Sequence, residues 1–232
     1  MLSLRDKIIL FLDLLYDEGI FSPRCLVFSA FNSSDRTSVD KRLRQMAHSG
    51  QLEVKGGGLG RTISLSPSLR KLLEKEDFDL VKIRSCQTKW DGLWRLVVFD
   101  ISEENRKLRD LLRRKLRSLG FAMFQKSVWV TPLDVTEQVT RFLKKAGIKG
   151  PVEVLEAKRI FTENEKDWVG RYWDLEKVNG QYRRLLKQKE TTFDDYLEVK
   201  VNDPSLPKEL LPSPWFESEL IEVLRRRARS LT

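Results

Sequence analysis

The chain has 232 residues, with 43 Lys and Arg against 34 Asp and Glu, a formal net charge of +9. At 41% hydrophobic residues it is too apolar for a disordered chain, and its length predicts two or three compact domains. Two cysteines, Cys25 and Cys86, and one histidine, His48, exclude a disulfide scaffold, a zinc ribbon, a Ser-His-Asp triad and an HExxH site. No run approaches the roughly 18 apolar residues of a membrane span. Asp6 and Asp13 break up the N-terminal apolar run, against a signal peptide. The expectation is a basic cytoplasmic protein that handles nucleic acid and makes no membrane contact.

In chain order, Leu4, Ile8, Phe11, Leu12 and Leu15 repeat at helical spacing and predict a helix over 3–17, ended by Gly19. A second helix follows over 23–31, with Pro23 in its first turn. Asn32, Ser33 and Ser34 offer capping oxygens for a third helix over 34–48, which stops at Gly50. Two strands, 51–55 and 61–66, flank the glycine-rich tip Gly56-Gly57-Gly58-Leu59-Gly60. Three helices and a hairpin make a winged helix-turn-helix over 1–78, with a short helix at 67–76.

Residues 77–92 read as a connection. The run 93–100, LWRLVVFD, has strand length. A helix to about Leu119 carries Leu108, Leu111, Leu112, Leu116 and Leu119 on one face and stops at Gly120. Two strands within 121–131, a helix over 133–146 and a strand at 152–156 complete the order β-α-β-β-α-β, a central ferredoxin-like domain over 79–161. The rest, 162–232, predicts a small C-terminal helical region, with helices at 172–188 and 216–230. Between them a connector holds Pro204, Pro207, Pro212 and Pro214. The fold class is therefore α+β.

On the third helix Val39, Leu43 and Met46 form the buried stripe. Thr37, Lys41, Arg44 and His48 share the opposite face, with Ser34 and Gln45 at its edge. These side chains suit phosphate and base-edge contacts in a DNA major groove, although any exposed helix face is polar. Lys55 and Arg61 flank the hairpin tip, where a wing would reach backbone phosphate. His48 has no partner at metal-ligand spacing, and no cofactor is expected.

Asp100 ends the first strand of the middle domain, where a carboxylate must be solvated, paired or metal-bound. It also suits the N-terminus of the following helix, as do Ser102, Glu103 and Glu104. No catalytic residue is expected. One aspartate could bind Mg²⁺ for nuclease chemistry only if a two-fold dimer paired two copies. The helix after it carries seven Lys and Arg against three acids over 103–117. Arg106, Arg109, Arg113 and Arg117 make a secondary basic surface, either a solvated face or a backbone contact. By contrast, 1–78 has 12 basic and 10 acidic residues.

The segment Trp90-Asp91-Gly92-Leu93-Trp94-Arg95-Leu96-Val97-Val98-Phe99-Asp100-Ile101 carries a resemblance. So do Arg106-Lys107-Leu108-Arg109-Asp110, Leu119-Gly120-Phe121 and Gln125-Lys126-Ser127-Val128-Trp129-Val130. With them the chain resembles the phenylacetic-acid-degradation repressors, the PaaX-like transcriptional regulators. Tyr172-Trp173-Asp174-Leu175-Glu176 and Leu210-Leu211-Pro212-Ser213-Pro214-Trp215 look like that family's C-terminal part.

The resemblance implies a homodimeric, DNA-binding, ligand-responsive repressor that reads a palindromic double-stranded operator. It also implies a small-molecule inducer of the acyl-CoA type, though no residue maps onto a CoA site. The middle domain is also similar to the small CRISPR-associated adaptation nuclease subunit, Cas-two. In that family an aspartate at the position of Asp100 is assigned to metal. This implies the alternative, a metal-dependent endonuclease or adaptation-like subunit with Mg²⁺ between paired Asp100 carboxylates. A third expectation is an architectural protein that binds DNA without an inducer.

Overall fold

The computed structural model describes residues 2–15, 36–56, 62–75, 89–148, 150–158 and 164–229. The predicted helix at 23–31, the hairpin tip 57–60, both cysteines, Ser34 and Arg61 lie outside them. The elements are α1 (Leu4–Leu15), α2 (Arg36–His48), β1 (Leu52–Lys55), β2 (Thr62–Leu65), α3 (Pro67–Lys75), β3 (Trp94–Phe99) and α4 (Arg106–Ser118). They continue as β4 (Ala122–Gln125), β5 (Val128–Thr131), α5 (Thr136–Ala146), β6 (Val152–Ala157), α6 (Glu165–Trp173), α7 (Leu175–Lys187), α8 (Phe193–Lys200) and α9 (Glu217–Arg229). The class is α+β with antiparallel sheets.

Two compact units form. The first joins Met1–Val81, Lys177–Asp203 and Pro214–Thr232; the second joins Lys82–Glu176 and Pro204–Ser213. The expected C-terminal region 162–232 is thus not one body, because its parts are shared between the two units.

In the first unit α1 packs against α2, β2, α8 and α9. The predicted single stripe on α1 is too narrow. Ile8, Ile9, Leu10, Phe11 and Leu12 are all buried, which five consecutive helical residues can be only when neighbours cover every side. Phe11 meets the Phe193 ring edge-on at 5.1 Å, and Lys7 Nζ donates to Asp194 Oδ1 at 2.8 Å. Ser66 caps α3 through the Leu69 N–H, with Pro67 in the first turn. Thr192 and Asp195 form a reciprocal capping box that starts α8.

A buried polar network lies among the helices of this unit. Lys200, with its side chain fully buried, pairs with Glu217 at 2.7 Å and Asp203 at 3.3 Å. Tyr182 donates to Asp203 at 2.7 Å and Tyr196 donates to Glu217 at 3.0 Å. Each buried carboxylate therefore has both a cation and a hydroxyl donor.

In the second unit the four strands run in the order β4-β5-β3-β6, every neighbour antiparallel. Helices α4 and α5 make the two crossovers and bury Leu112, Leu116 and Val139. The Arg117 guanidinium lies 5.3 Å over the buried Trp129 ring, so α4 covers the face that carries Val97 and Trp129. On the other face Trp94 packs with Trp168 and Trp173 of α6, at 6.1 and 6.4 Å. Trp173 donates its ring N–H to the Gly120 carbonyl at 2.9 Å. Gly120 has φ +82°, the left-handed conformation that favours glycine, and a Cβ there would also crowd Leu133 Cδ1 at 2.9 Å and the Pro204 carbonyl at 3.3 Å.

Burial pushes the Tyr182 phenol well above its ordinary value, and the Asp203 and Glu217 charges push it the same way. A phenol that ionises later in the folded state contributes stability below about pH 10 and loses it as pH rises through that range. Stability should therefore fall above about pH 10, by up to about 1.4 kcal/mol per pH unit for this group. Urea titrations of the protein and of Y182F across that range check this, with the variant showing the flatter profile.

Candidate nucleic-acid interface

Helix α2 buries Val39, Leu43 and Met46, as its spacing predicts. It packs on β1 and α1. The helix ends in paired backbone bonds: Gln51 N–H to Met46 O at 2.9 Å and Gly50 N–H to Ala47 O at 3.1 Å. Gly50 takes φ +70°, the left-handed conformation this motif requires. That ending turns the chain directly into β1, and Arg5 Nε clamps the turn through Gln51 Oε1 at 2.9 Å.

Thr37, Lys41, Arg44, Gln45 and His48 are all exposed. Thr37, Lys41, Arg44 and His48 step by four, three and four residues, so they form one row about 16 Å long. Among the described residues Lys41, Arg44 and His48 have no ion-pair partner, so their donors face solvent. Strands β1 and β2 pair antiparallel from Leu52↔Leu65 to Lys55↔Thr62. Lys55 stands exposed at the far end, 3.6 Å from Glu53.

In the second unit Asp100 is exposed just after β3, with its N–H bonded to Pro151 O at 2.9 Å. Among the described residues no group of three or more His, Cys, Asp and Glu could hold a metal ion. The four arginines expected as a secondary basic surface divide. Arg109 is held by Glu103 through two bonds of 2.7 and 2.8 Å and is 13% exposed. Arg113 donates to the Lys126 carbonyl at 3.0 Å and is 22% exposed. Arg106 and Arg117 face solvent.

Sequence reasoning missed Arg95, a buried arginine on β3. It pairs with Asp91 and lies 3.7 Å from Asp134 and 3.5 Å from Glu156. The Arg95 hydrogen bond holds the Asp91 carboxyl below its usual range. Burial works against the Arg95 charge, but Asp91, then Asp134 and Glu156, outweigh it and raise its pKa. Alternation placed Arg95 on the face of Val97 and Phe99, a signal that a cation enters the core.

Residues 87–169 match the family described as the PaaX protein central Cas2-like domain. The middle of this chain is therefore similar to the PaaX central Cas2-like domain, as the residues at 90–130 led us to expect. A solved structure, an uncharacterized protein Rv0674 from Mycobacterium tuberculosis, aligns over 98% of this chain and 99% of its own. It is 21% identical with a TM-score of 0.55, so the likeness is one of fold. No curated protein matches the chain. No described helix is long and apolar enough to cross a membrane.

The exposed row and the buried stripe of α2 make opposite predictions. Lys41→Ala or Arg44→Ala should change folding stability by less than about 0.5 kcal/mol. Met46→Ala should cost about 2–5 kcal/mol. Urea denaturation of the three variants checks the contrast.

Proposed function

We propose that the chain is a DNA-binding transcriptional regulator of the PaaX type, a homodimeric and ligand-responsive repressor. The observation that carries this reading is the exposed row of Thr37, Lys41, Arg44 and His48 beside a β-hairpin, in a chain whose middle matches a PaaX domain. The first unit is read as a winged helix-turn-helix, with α2 in the major groove and Gln45 and Lys55 at its margins; Ser34 and Arg61 remain candidates from the sequence. The second unit is read as a ferredoxin-like fold. The strand order, with the domain's fourth strand beside its first and then its third and second, supports that reading.

This domain would hold the dimer. The sheet face beyond Trp94 leaves Leu155 50% exposed, and Leu96, Val98 and Val128 beside it are half-buried, an apolar surface for a second copy. Two heads would then read a palindromic operator. An acyl-CoA-type inducer rests on the family resemblance alone, and a thermal shift with aryl-CoA thioesters reads it directly.

On this reading K41A/R44A loses operator binding. Each base or phosphate contact is worth about 1–3 kcal/mol, so affinity should fall at least about tenfold while the fold stays intact. Fluorescence anisotropy on an operator selected from random duplexes measures it, and unchanged affinity would refute the groove assignment.

The alternative is a metal-dependent endonuclease. It draws on one observation, that Asp100 is exposed at the end of the first strand of a Cas2-like domain. Two copies of Asp100 would hold Mg²⁺ across a dimer axis. Incubation of DNA and RNA with Mg²⁺ or Mn²⁺ should leave them intact if the regulator reading is right. Cleavage that disappears in D100A would favour the nuclease.

A further inference from the structure

Helix α4 carries a second charged surface, and it is not the one its arginine spacing suggested. Leu112 and Leu116 point into the core. Stepping 100° per residue from Leu112, Arg113, Arg106, Arg117, Asp110, Arg114 and Lys107 follow one another around the opposite side. Asp110 is the one acid in that arc, and it lies between Arg106 at 3.8 Å and Arg113 at 3.7 Å. Glu103 is taken by Arg109. Among the described residues Lys107, Arg114 and Lys126 have no ion-pair partner. The Arg113 bond to the Lys126 carbonyl sets the β4–β5 turn, and with it Lys126, beside the helix.

We infer that Arg106, Lys107, Arg114, Arg117 and Lys126 form a phosphate-binding ridge for the backbone of duplex DNA. This deepens the DNA-binding reading and rests on it. From Arg106 to Arg117 the ridge is about 16 Å long, roughly half a turn of duplex, along which phosphates of both strands are dense. Some of the order such a contact needs is already in place. Arg117 is held over Trp129 at 5.3 Å, and Arg113 anchors the turn that carries Lys126. The chemistry favours a duplex over a single strand. Single-strand sites stack bases on exposed rings, whereas among the described residues of this unit the exposed rings of Phe124 and Tyr172 pack with Trp168 of α6. Helix α5 is the internal comparison: it carries Arg141, Lys144 and Lys145, all exposed, with Glu137 bonded to Arg141.

The test uses the full chain and a random-sequence DNA duplex of about three turns, with affinity followed by anisotropy against salt. R106Q/K107Q/R114Q removes three ridge charges, and R141Q/K144Q/K145Q removes three from α5. The ridge variant should bind about 10–100-fold more weakly, and its log K against log salt slope should flatten by about 2–3. The α5 variant should stay within about threefold of the parent. The milder K107Q/R114Q touches no ion pair and should flatten the slope by about 2.

Equal effects of the ridge and α5 variants would overturn the ridge, because bulk charge would then explain both. Tighter binding of single-stranded than of duplex DNA would also overturn it. If K41A/R44A abolishes binding and the ridge variant does not, the groove reading stands and the ridge fails. If the ridge variant weakens binding and K41A/R44A does not, the ridge stands and the groove assignment fails.

Discussion

The first unit depends on one buried cation. Lys200 has no exposed side-chain surface, and its ammonium sits between Glu217 and Asp203. A buried polar group left without a partner is costly. Here every member has one, because Tyr182 donates to Asp203 and Tyr196 to Glu217 beside the shared ammonium. Removing one member of such a set costs about 3–5 kcal/mol, because the charges left behind stay buried. The set is also specific in space. Tyr182 comes from α7, Tyr196 and Lys200 from α8, Asp203 from the turn after it and Glu217 from the start of α9. Three helices with little in common in sequence are thereby fixed in one arrangement.

That arrangement determines what α1 can be. With α8 and α9 over it, α1 is sealed on the side its own stripe leaves open, and Ile9 and Leu10 go into the core with Ile8, Phe11 and Leu12. Helix α2 packs on α1, so the platform under the exposed row of Lys41 and Arg44 is built partly from the last third of the chain. Side chains on a rigid base lose less entropy when they dock on a partner. The C-terminal helices are therefore part of the support of the exposed row on α2.

Legibility followed the range of the forces. Elements made by local periodicity lie where the spacing put them. Helix α2 shows its predicted stripe, and β3 to β6 keep the expected order. Helix α8 was missed although Thr192-x-x-Asp195 is a capping signature, because Phe193–Lys200 has too few turns to show a stripe. Helix α6 was missed, with only its last two residues, Tyr172 and Trp173, read into the following helix. Asp174, with φ +49°, separates it from α7, and a non-glycine residue in that conformation gives little warning in sequence. The partition into units was illegible for a different reason. It rests on pairs such as Lys7–Asp194 and Phe11–Phe193, nearly two hundred residues apart, and no local pattern encodes them. Asp100 kept its position, but its functional partner would be another copy, which one sequence cannot display.

The same distinction bears on charge. The excess of +9 is concentrated away from the row on α2: residues 103–117 carry seven basic groups against three acidic ones, while 1–78 is nearly balanced. Base reading needs few donors at exact positions, and extra charge nearby would bind every sequence alike. Backbone affinity needs many cations and tolerates loose geometry, since its energy comes from released counterions. On the proposed reading, helix α4 suits the second requirement and α2 the first. Pairing also sorts the cations of α4. Glu103 takes Arg109 out of the exposed set, while Lys107 and Arg114, which a search for arginine rows passes over, remain in it. A surface of this kind is therefore defined by which charges the fold leaves unneutralised, and counting basic residues along a helix cannot reveal that.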